Sequence, residues 1–297
     1  MKSQERKILV VGATGMLGSS IVEALLAQRT KVRALLRPGK AEVEESLKKA
    51  GLEVTHGDVL QPETLGSAME GIQVVVSALH NDPDTFVIGH RNLIEAAEKA
   101  GVERFIPSDF AVDFFKIEAE ENFNLAMRKQ VAPLFETTRM RPIHILIGAF
   151  LDTMLDRRAP FIDWERKILP YYGDGNQLCD FTSVRDTGRY VAQACLDADA
   201  PEVLRFAGAT LTMPQLAESI GQLSSEKVGE VEELPALISS KKHTASHPFE
   251  WIALQYHHNM VSGRAKLEPL DNARYPQVVP ETVEEFSRRF VQAKGSL

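Results

Sequence analysis

The chain has 297 residues, 44% of them hydrophobic, and a formal net charge of −7 from 34 Lys and Arg against 41 Asp and Glu. This composition excludes a disordered or collagen-like protein, and the presence of only two cysteines, Cys179 and Cys195, excludes a disulfide-stapled scaffold. The acidic balance argues against a nucleic-acid partner that is bound by broad phosphate neutralisation.

The N-terminal sequence and the hydropathy favour a cytoplasmic protein. The first seven residues, MKSQERK, lead directly into an apolar run and lack the hydrophobic core of a signal peptide. No stretch reaches the roughly 18 uncharged apolar residues that a membrane span needs. We therefore expect neither secretion nor membrane insertion.

The first half of the chain alternates short apolar runs with helix-period segments. Strands are predicted at 8–11, 31–36, 52–55, 72–79, 104–107 and 143–147, and helices at 16–27, 41–50, 62–69, 91–100 and 118–138. Strands that alternate with helices at this spacing predict βαβ units and a parallel sheet. The apolar strands indicate that helices cover both faces of the sheet.

After residue 150 the pattern changes. A turn at 173–176 precedes a helix at 185–198 and a strand at 203–207 that we expect to rejoin the sheet, and the rest of the chain is mostly helical. The predicted fold is α/β, a Rossmann-type doubly wound parallel sheet with a smaller, mostly helical C-terminal lobe. We assign 1–150, rejoined by about 178–210, to a Rossmann-type domain, and 151–177 and 211–297 to a substrate or partner lobe.

A glycine-rich turn joins the first strand to the first helix, and it reads Gly12-Ala13-Thr14-Gly15-Met16-Leu17-Gly18. Glycines at such a turn let the backbone approach a pyrophosphate, and the amides at the start of the helix bind the phosphate oxygens. The spacing is GxxGxxG, which differs from the common GxGxxG pattern. The position between strand and helix predicts a dinucleotide site, and the alternative is a packing turn without a ligand.

The end of the second strand indicates which dinucleotide is bound. An NAD site has a carboxylate near this position, whereas a 2′-phosphate requires a cation. Residues 24–41 contain no acid, and they contain the cations Arg29, Lys31, Arg33, Arg37 and Lys40. Arg37 closes the strand and its guanidinium can bind phosphate through two hydrogen bonds, so the sequence predicts NADP(H). Lys40 either adds a charge or is solvated, and Arg29, Lys31 and Arg33 are predicted at the surface.

Ligands of open α/β sheets bind at the carboxyl ends of the strands. Asp58 ends the third strand, Ser77, Ala78 and Leu79 end the fourth, and Ser108 ends the fifth. We therefore expect these residues to border the cofactor, together with Gly12, Thr14, Gly15, Met16, Leu17 and Gly18.

Several motifs together resemble the NmrA-like branch of the atypical short-chain dehydrogenases, which includes plant isoflavone, phenylcoumaran and pinoresinol reductases. These motifs are the glycine turn, Leu36-Arg37, the segments 56–59 and 104–110, and DFTSVRD at 180–186. The similarity covers about residues 7–220. It implies NADP(H) binding and, for the reductase members, reduction of a bulky aromatic substrate with a lysine as acid/base.

The position of the catalytic lysine is ambiguous. No tyrosine of the chain has a lysine four residues later, so the Tyr-Lys pair of the wider superfamily is absent. Counting back from Pro142 places the lysine of the reductases at Lys129, whereas alignment on Val131 and Glu136 places Arg128 there. Lysine can change its protonation near neutral pH, but arginine can only orient a substrate or stabilise an oxyanion.

A helical wheel of 118–138 predicts that one stripe is buried and that Arg128 lies at its edge, with Lys129 further round. Lys129 is therefore either catalytic or a solvated helix residue. The predicted buried stripe consists of Phe123, Met127, Val131, Leu134 and Phe135.

Four apolar side chains are candidates for the substrate pocket, with ordinary core packing as the alternative for each: Phe150, Met154, Tyr172 and Phe181. His257 and His258 are adjacent, and neighbouring helix residues point about 100° apart, so no metal site is predicted. His144 is expected to be a hydrogen-bonded core residue. Lys241-Lys242-His243 is too short for nucleic-acid binding.

Two functions fit these residues. The first is an NADPH-dependent reductase of a small aromatic or otherwise apolar carbonyl or enone-type substrate. The alternative is a non-catalytic regulatory protein that senses NADP(H) and acts through a protein partner. A proton donor near the nicotinamide distinguishes the enzyme from the sensor. The sequence leaves the oligomeric state and the substrate open.

Overall fold

The structure is a computed structural model that describes residues 6–80 and 82–294. Its first part alternates strands with helices: β1 (Lys7–Val11), α1 (Met16–Ala27), β2 (Lys31–Leu36), α2 (Ala41–Lys49), β3 (Glu53–His56), α3 (Gly66–Met69), β4 (Val74–Ser77), α4 (Gly89–Ala100) and β5 (Arg104–Ile106). The predicted helix at 62–69 is divided into a 3₁₀ turn, Pro62–Thr64, and α3. A π-helical turn, Asp84–Ile88, precedes α4.

The middle of the chain contains shorter elements: α5 (Phe123–Val131), β6 (Arg141–Pro142), β7 (His144–Leu146), β8 (Ala149–Phe150), α6 (Leu151–Met154), β9 (Ile168–Tyr172), β10 (Cys179–Thr182), α7 (Val184–Leu196) and β11 (Val203–Arg205). The last part contains β12 (Ala209–Leu211), α8 (Met213–Ile220), β13 (Ser224–Gly229), α9 (Leu234–Thr244), α10 (Phe249–Val261) and α11 (Val283–Lys294).

Six parallel strands form the main sheet in the order β3-β2-β1-β4-β5-β6. The central strands consist almost entirely of Val, Ile and Leu, and the side chains of β1 after Lys7 are at most 2% exposed. Their apolar character on both faces follows from the helices that cover the sheet. The strand order reverses between β1 and β4, so the carboxyl ends of these strands border a crevice where ligands bind in such sheets. The doubly wound α/β prediction is confirmed.

The cation in the middle of β2 is buried, and the prediction that Arg33 lies at the surface is wrong. Arg33 is 7% exposed, and its guanidinium donates to the carbonyl oxygens of Ala68 at 2.8 Å and Glu70 at 2.9 Å. Its Nε donates to Glu53 at 2.8 Å. Arg33 therefore provides hydrogen-bond donors for backbone carbonyls at the end of α3 instead of facing a ligand.

The prediction of one helix over 118–138 is also wrong. α5 covers Phe123–Val131, and a 3₁₀ segment, Ala132–Thr137, follows it, because Pro133 lacks the N–H that would continue the α-helix. The predicted buried stripe changes accordingly. Met127, Val131 and Phe135 are buried, but Phe123 is 42% exposed and Arg128 is only 4% exposed.

Backbone contacts divide the chain into two units. The first comprises the chain up to Asp109 with Met127–Ile145 and Thr187–Leu204, and the second comprises Phe110–Ala126, Leu146–Asp186 and the chain from Arg205 onward. The domain limits expected from the sequence, with the division at residue 150, stay a prediction. β11 pairs with β7 and not with the six-stranded sheet, which differs from the expected return of 203–207.

The segment 187–204 is firmly attached within the first unit. Three arginine side chains from earlier in the chain donate to its backbone: Arg6 to the Cys195 carbonyl at 2.9 Å, Arg104 to the carbonyls of Asp197 and Ala198, and Arg141 to the carbonyl of Ala200 at 3.0 Å. In α7, a Cβ on Gly188 would lie 2.5 Å from Ser20 Oγ, so α7 and α1 are in close contact.

The second unit contains small sheets as well as helices. Its strands form a three-stranded sheet, β12-β10-β8, and a two-stranded sheet, β13-β9. Asp180 of β10 accepts hydrogen bonds from Thr210 Oγ1 at 2.8 Å and the Leu267 backbone at 2.8 Å. Asn122 caps α5 by accepting from the backbone of Asn124 and Leu125, and its amide donates to Asn259 Oδ1 at 3.0 Å.

Candidate functional site

The turn after β1 requires glycine at two positions for steric reasons. Gly12 has φ +81°, a left-handed conformation, and a Cβ there would lie 2.5 Å from the carbonyl oxygen of Ala78. A Cβ on Gly18 would lie 2.0 Å from the carbonyl oxygen of Gly12. The turn is thus held against the end of β4, with α1 close behind it.

The start of α1 has the properties of an anion site. Gly15 is the N-cap residue, no side chain caps the helix, and the first turn contains no acidic residue. Thr14, Gly15 and Met16 are exposed. The first amides of the helix therefore present their positive end to a ligand.

A cleft of about 380 Å³ lies at the carboxyl ends of the strands, next to this turn. Eight residues predicted to bind the cofactor line it: Gly12, Thr14, Gly15, Arg37, Lys40, Asp58, Ala78 and Leu79. The structure therefore brings the glycine turn and the ends of β2, β3 and β4 together. Met16, Leu17, Gly18, Ser77 and Ser108 were also predicted, but they do not line it.

The sequence interpretation missed part of the lining. Val11, Leu35, Leu36, Leu60, His80 and Thr85 also border the cleft, beside Gly57 and Val59 of the segment that follows β3. His80 directly follows the strand predicted at 72–79, and this position was a usable signal. Leu60 lies in a turn and Thr85 in the short π-helical turn Asp84–Ile88, where sequence spacing carries less information about position.

The charge of the cleft is positive at the end of β2. Arg37 and Lys40 are exposed, and within residues 6–80 and 82–294 no ion pair engages either of them. Asp58 is the carboxylate of the lining, and its Oδ1 accepts from the Leu60 backbone at 3.0 Å in a local turn. Two free cations beside free helix amides fit a ligand with more than one phosphate.

The ends of β4 and β5 are buried polar positions. Ser77 is fully buried, and in the described part of the chain its hydroxyl has no hydrogen-bond partner. Ser108 is 5% exposed and its hydroxyl donates to the Leu79 carbonyl at 3.1 Å. The predicted cofactor contacts of both residues stay predictions, since neither faces the cleft directly.

Neither candidate for the acid/base lines the cleft. Arg128 is buried, and its guanidinium lies over the Phe86 ring, 5.0 Å from the centroid. Lys129 is half-buried on α5. An always-charged group packed on an aromatic ring is suited to electrostatic support rather than proton transfer. The catalytic role of Lys129, with Arg128 as the competing position, stays a prediction.

The expectation for His144 is confirmed. It is 3% exposed, and its Nδ1 lies 2.5 Å from Asp109 Oδ2, which is 1% exposed. This pair is a buried hydrogen-bonded contact of the first unit.

The four predicted substrate residues lie in the second unit. Met154 and Phe181 are 2% and 0% exposed, which is the environment of core side chains, whereas Phe150 and Tyr172 are partly exposed. Burial and the nearby Glu233 carboxylate raise the pKa of Tyr172. Substrate binding by these residues stays a prediction.

His257, at 6% exposure, packs edge-on against Tyr172 with ring centroids 5.4 Å apart. Burial, and to a smaller extent His258, lowers its pKa to about 4. In the described residues, no group of three or more His, Cys, Asp or Glu side chains is arranged to hold a metal ion. The same residues include no helix that is both long and apolar enough to cross a bilayer.

Comparison with known proteins relates most of the chain to one family. The NmrA-like family profile matches residues 4–274. Phenylcoumaran benzylic ether reductase TP7 of Nicotiana tabacum is 27% identical, over 97% of this chain and 100% of the relative. Isoflavone reductase of Cicer arietinum is 26% identical, over 98% of this chain and 100% of the relative.

Solved structures share the fold. Leucoanthocyanidin reductase from Vitis vinifera in complex with NADPH has a TM-score of 0.81 at 20% identity, over 96% of this chain and 99% of that chain. Triphenylmethane reductase from Citrobacter sp. in complex with NADP(H) has a TM-score of 0.69 at 19% identity, over 95% and 99% of the two chains.

Proposed function

Because the chain belongs to the NmrA-like family, we propose that it is an NADP(H)-dependent reductase of a small, aromatic or otherwise apolar substrate. The observation that carries the proposal is one cleft lined by the glycine turn and by two cations, Arg37 and Lys40, at the end of β2. Two relatives, a phenylcoumaran benzylic ether reductase and an isoflavone reductase, support the reaction class.

The residues of the cleft fit the adenosine and diphosphate part of the cofactor. The amides that open α1 would hold the pyrophosphate, since Gly12 and Gly15 leave the backbone accessible. Arg37 would bind the 2′-phosphate through two hydrogen bonds, and Lys40 would add a point charge. When bound, the nicotinamide would supply the hydride of the reduction.

The protein's own share of the reaction would be a proton and the orientation of the substrate. In this proposal Lys129 donates the proton to the reduced carbonyl or enone, and the buried Arg128 provides positive charge nearby on the same helix. Phe150 and Tyr172 would form part of an apolar substrate wall, because both remain partly exposed. The carbonyl or enone class, and the assignment of 151–177 and 211–297 to a substrate lobe, belong to this proposal.

The cofactor claim is tested by titrating the chain with NADPH and NADH and following nicotinamide fluorescence. We expect NADPH to bind at least tenfold more tightly, since an Arg-phosphate pair contributes on the order of 1–3 kcal/mol. Equal affinity for the two cofactors would contradict the role of Arg37. Lys49→Ala is the control variant, because Lys49 is an exposed lysine of α2 that does not line the cleft. We expect this variant to keep the preference for NADPH over NADH.

The reductase claim is tested by single-turnover oxidation of bound NADPH. The probes are an isoflavone, a phenylcoumaran benzylic ether, an aromatic enone and an aromatic ketone, and absorbance at 340 nm reports the oxidation. We expect at least one probe to be reduced, and Lys129→Ala to slow that reduction by about 10²-fold or more. Full turnover in Lys129→Ala would assign the proton to another group. The regulatory alternative predicts tight NADPH binding and no oxidation with any probe, and no observation in the structure favours it.

A further inference from the structure

The start of α4 supports two walls of the cleft. A Cβ on Gly89 would lie 2.9 Å from Val59 Cγ2 and 3.5 Å from Leu79 Cδ1, so α4 is in direct contact with both residues. Asn92 Nδ2 donates to the Val59 carbonyl at 2.8 Å. Val59 and Leu79 line the cleft, and α4 therefore determines where the chain lies after β3 and after β4.

His90, the second residue of α4, is fully buried beneath these walls. Its Nδ1 lies 2.5 Å from the Phe86 carbonyl oxygen, and the Ser108 backbone N–H donates to its Nε2 at 3.3 Å. A nitrogen that accepts a hydrogen bond carries no proton, so the imidazole is neutral with its hydrogen on Nδ1. Burial lowers the pKa of His90 to about 4, with the positive charge of Arg128 acting in the same direction, and this keeps the ring neutral at physiological pH.

Ser108 connects His90 to the cleft. Its backbone N–H donates to the imidazole, and its hydroxyl donates to the Leu79 carbonyl at 3.1 Å. A continuous series of hydrogen bonds thus runs from the π-helical turn at Phe86, through His90 and Ser108, to the residue that ends the β4 side of the cleft. Within the described residues, no other side chain donates a hydrogen bond to the Leu79 carbonyl.

We infer that His90 is a positioning residue for the cofactor, acting through Ser108 and Leu79 without touching the cofactor itself. The inference rests on the proposed function, since the ligand of the cleft is the proposed NADP(H). Loss of the imidazole leaves the buried Ser108 N–H without its partner and removes one of the hydrogen bonds of the Phe86 carbonyl, which also accepts from the Gly89 N–H. The end of β4 is then free to shift.

The test compares His90→Leu with His90→Gln in NADPH titrations. Leucine removes both hydrogen bonds, whereas the amide of glutamine again offers one donor and one acceptor. We expect His90→Leu to weaken NADPH binding about tenfold and His90→Gln to stay within about threefold of the parent chain. A purely structural role would lower the free energy of unfolding of His90→Leu but leave the Kd of the folded chain unchanged, and that result would overturn the inference.

Ser108→Ala provides a second, smaller change that removes only the bond to Leu79. We expect it to weaken NADPH binding, and the double variant His90→Leu/Ser108→Ala to bind no worse than His90→Leu alone, because both act on the same series of bonds. Additive losses would contradict the inference. The glutamine variant binding as weakly as the leucine variant would also contradict it, since hydrogen bonding would then not be the cause.

Hydrogen exchange separates this inference from the proposed function. The Ser108 amide should exchange faster in His90→Leu than in the parent chain and remain protected in His90→Gln, with or without cofactor. If the parent chain does not bind NADPH at all, the proposed function fails and His90 has no cofactor to position. If the parent binds NADPH, but exchange and affinity are the same in His90→Leu, only the inference fails.

Discussion

Arg37 is the residue through which we propose that this cleft distinguishes NADP from NAD. It is exposed at the end of β2 and lines the cleft beside Lys40. We expect Arg37→Asp to weaken NADP relative to NAD by about 1–3 kcal/mol, because a charge-assisted hydrogen bond is lost and a like charge is introduced. Parallel calorimetric titrations with both dinucleotides measure the change. An unaltered preference would exclude Arg37 as the partner of the 2′-phosphate.

His257 makes the stability of the fold dependent on pH. Its pKa is about 4 in the folded chain because of burial, against an ordinary value near 6.5. Between these two values the unfolded chain binds a proton that the folded chain does not, so the free energy of unfolding falls as the pH is lowered through this interval. We expect His257→Phe to reduce the loss between pH 7 and pH 4.5 by about 2–3 kcal/mol.

Urea unfolding at the two pH values measures this effect. The exposed His243, replaced by Gln, serves as the control, and its loss of stability should match that of the parent chain. If the loss is the same in His257→Phe as in the parent chain, the buried imidazole is not its source. His90 should contribute a further acid-dependent loss in the same direction, since burial also lowers its pKa to about 4.

At the scale of elements, we expect two glycines at the start of α1 to have different roles, Gly15 in cofactor binding and Gly18 in packing. A Cβ on Gly15 would lie 3.3 Å from the Gly12 carbonyl, whereas a Cβ on Gly18 would lie 2.0 Å from it. We expect Gly15→Ala to keep most of the stability but to weaken NADPH binding about tenfold, because the methyl group would occupy the proposed path of the pyrophosphate. Gly18→Ala should lose stability as well, because backbone atoms must move.

Thermal unfolding and NADPH titration of both variants test this separation. Gly66→Ala is the control, since a Cβ at this helical glycine meets no atom within 4 Å. Gly15→Ala binding as tightly as Gly66→Ala would show that the pyrophosphate does not pass over Gly15.

The N-terminus of α5 depends on residues far along the chain. Asn122 caps the helix, and its amide donates to Asn259 Oδ1, while Gln255 Oε1 accepts from the Phe123 backbone at 3.0 Å. We expect Asn122→Ala to lower the free energy of unfolding by about 1–3 kcal/mol, because the cap and a buried amide partner are both lost. Asn259→Ala, which leaves the cap in place, should cost less. Urea unfolding curves of the two variants provide the comparison, and equal losses would show that the cap contributes little.

Structure was predicted most reliably from the sequence at positions where the residue type has only one steric or chemical explanation. The bounds of α1 and β2 were predicted correctly, and the glycine turn and Arg37 line one cleft, because glycine spacing and a cation at a strand end have few alternative uses. Arg33 was predicted wrongly, because periodicity does not reveal that its partners are the carbonyls of Ala68 and Glu70 at the end of α3. α5 ends at Val131 because of Pro133, and a helical wheel does not take account of the hydrogen bond that a proline cannot donate. His90 gave no signal, since its importance depends on Ser108, which is remote in sequence.

At the scale of the whole molecule, cofactor binding should stabilise the fold selectively. A ligand that binds only the folded chain at a hundred times its Kd adds about 2.7 kcal/mol to the free energy of unfolding. We expect NADP to raise the Tm measurably more than NAD at the same concentration. Equal shifts in differential scanning fluorimetry, or none, would contradict the proposed cofactor. Arg37→Asp is the matched control, because it should lose the difference between the two cofactors.

The two cysteines allow the two units to be followed separately. Cys195 belongs to the first unit and Cys179 to the second, and burial raises the pKa of each thiol to about 12. Neither should react with iodoacetamide in the folded chain. Pulse labelling in increasing urea, read by peptide mass spectrometry, should modify both at one concentration if the units unfold together. Labelling of one thiol well before the other would show that they unfold independently.

The attachment of 187–204 to the first unit bears on how the chain is made. The carbonyl groups that accept hydrogen bonds from Arg6, Arg104 and Arg141 are synthesised long after those arginines. The contact between Gly188 and α1 likewise forms only after α7 has been synthesised. During translation the first unit therefore stays incomplete while two segments of the second unit, Phe110–Ala126 and Leu146–Asp186, emerge from the ribosome. A nascent chain arrested near residue 150 should bind chaperones and resist capture on a nucleotide resin, whereas one extended beyond residue 204 should have every segment that the first unit requires.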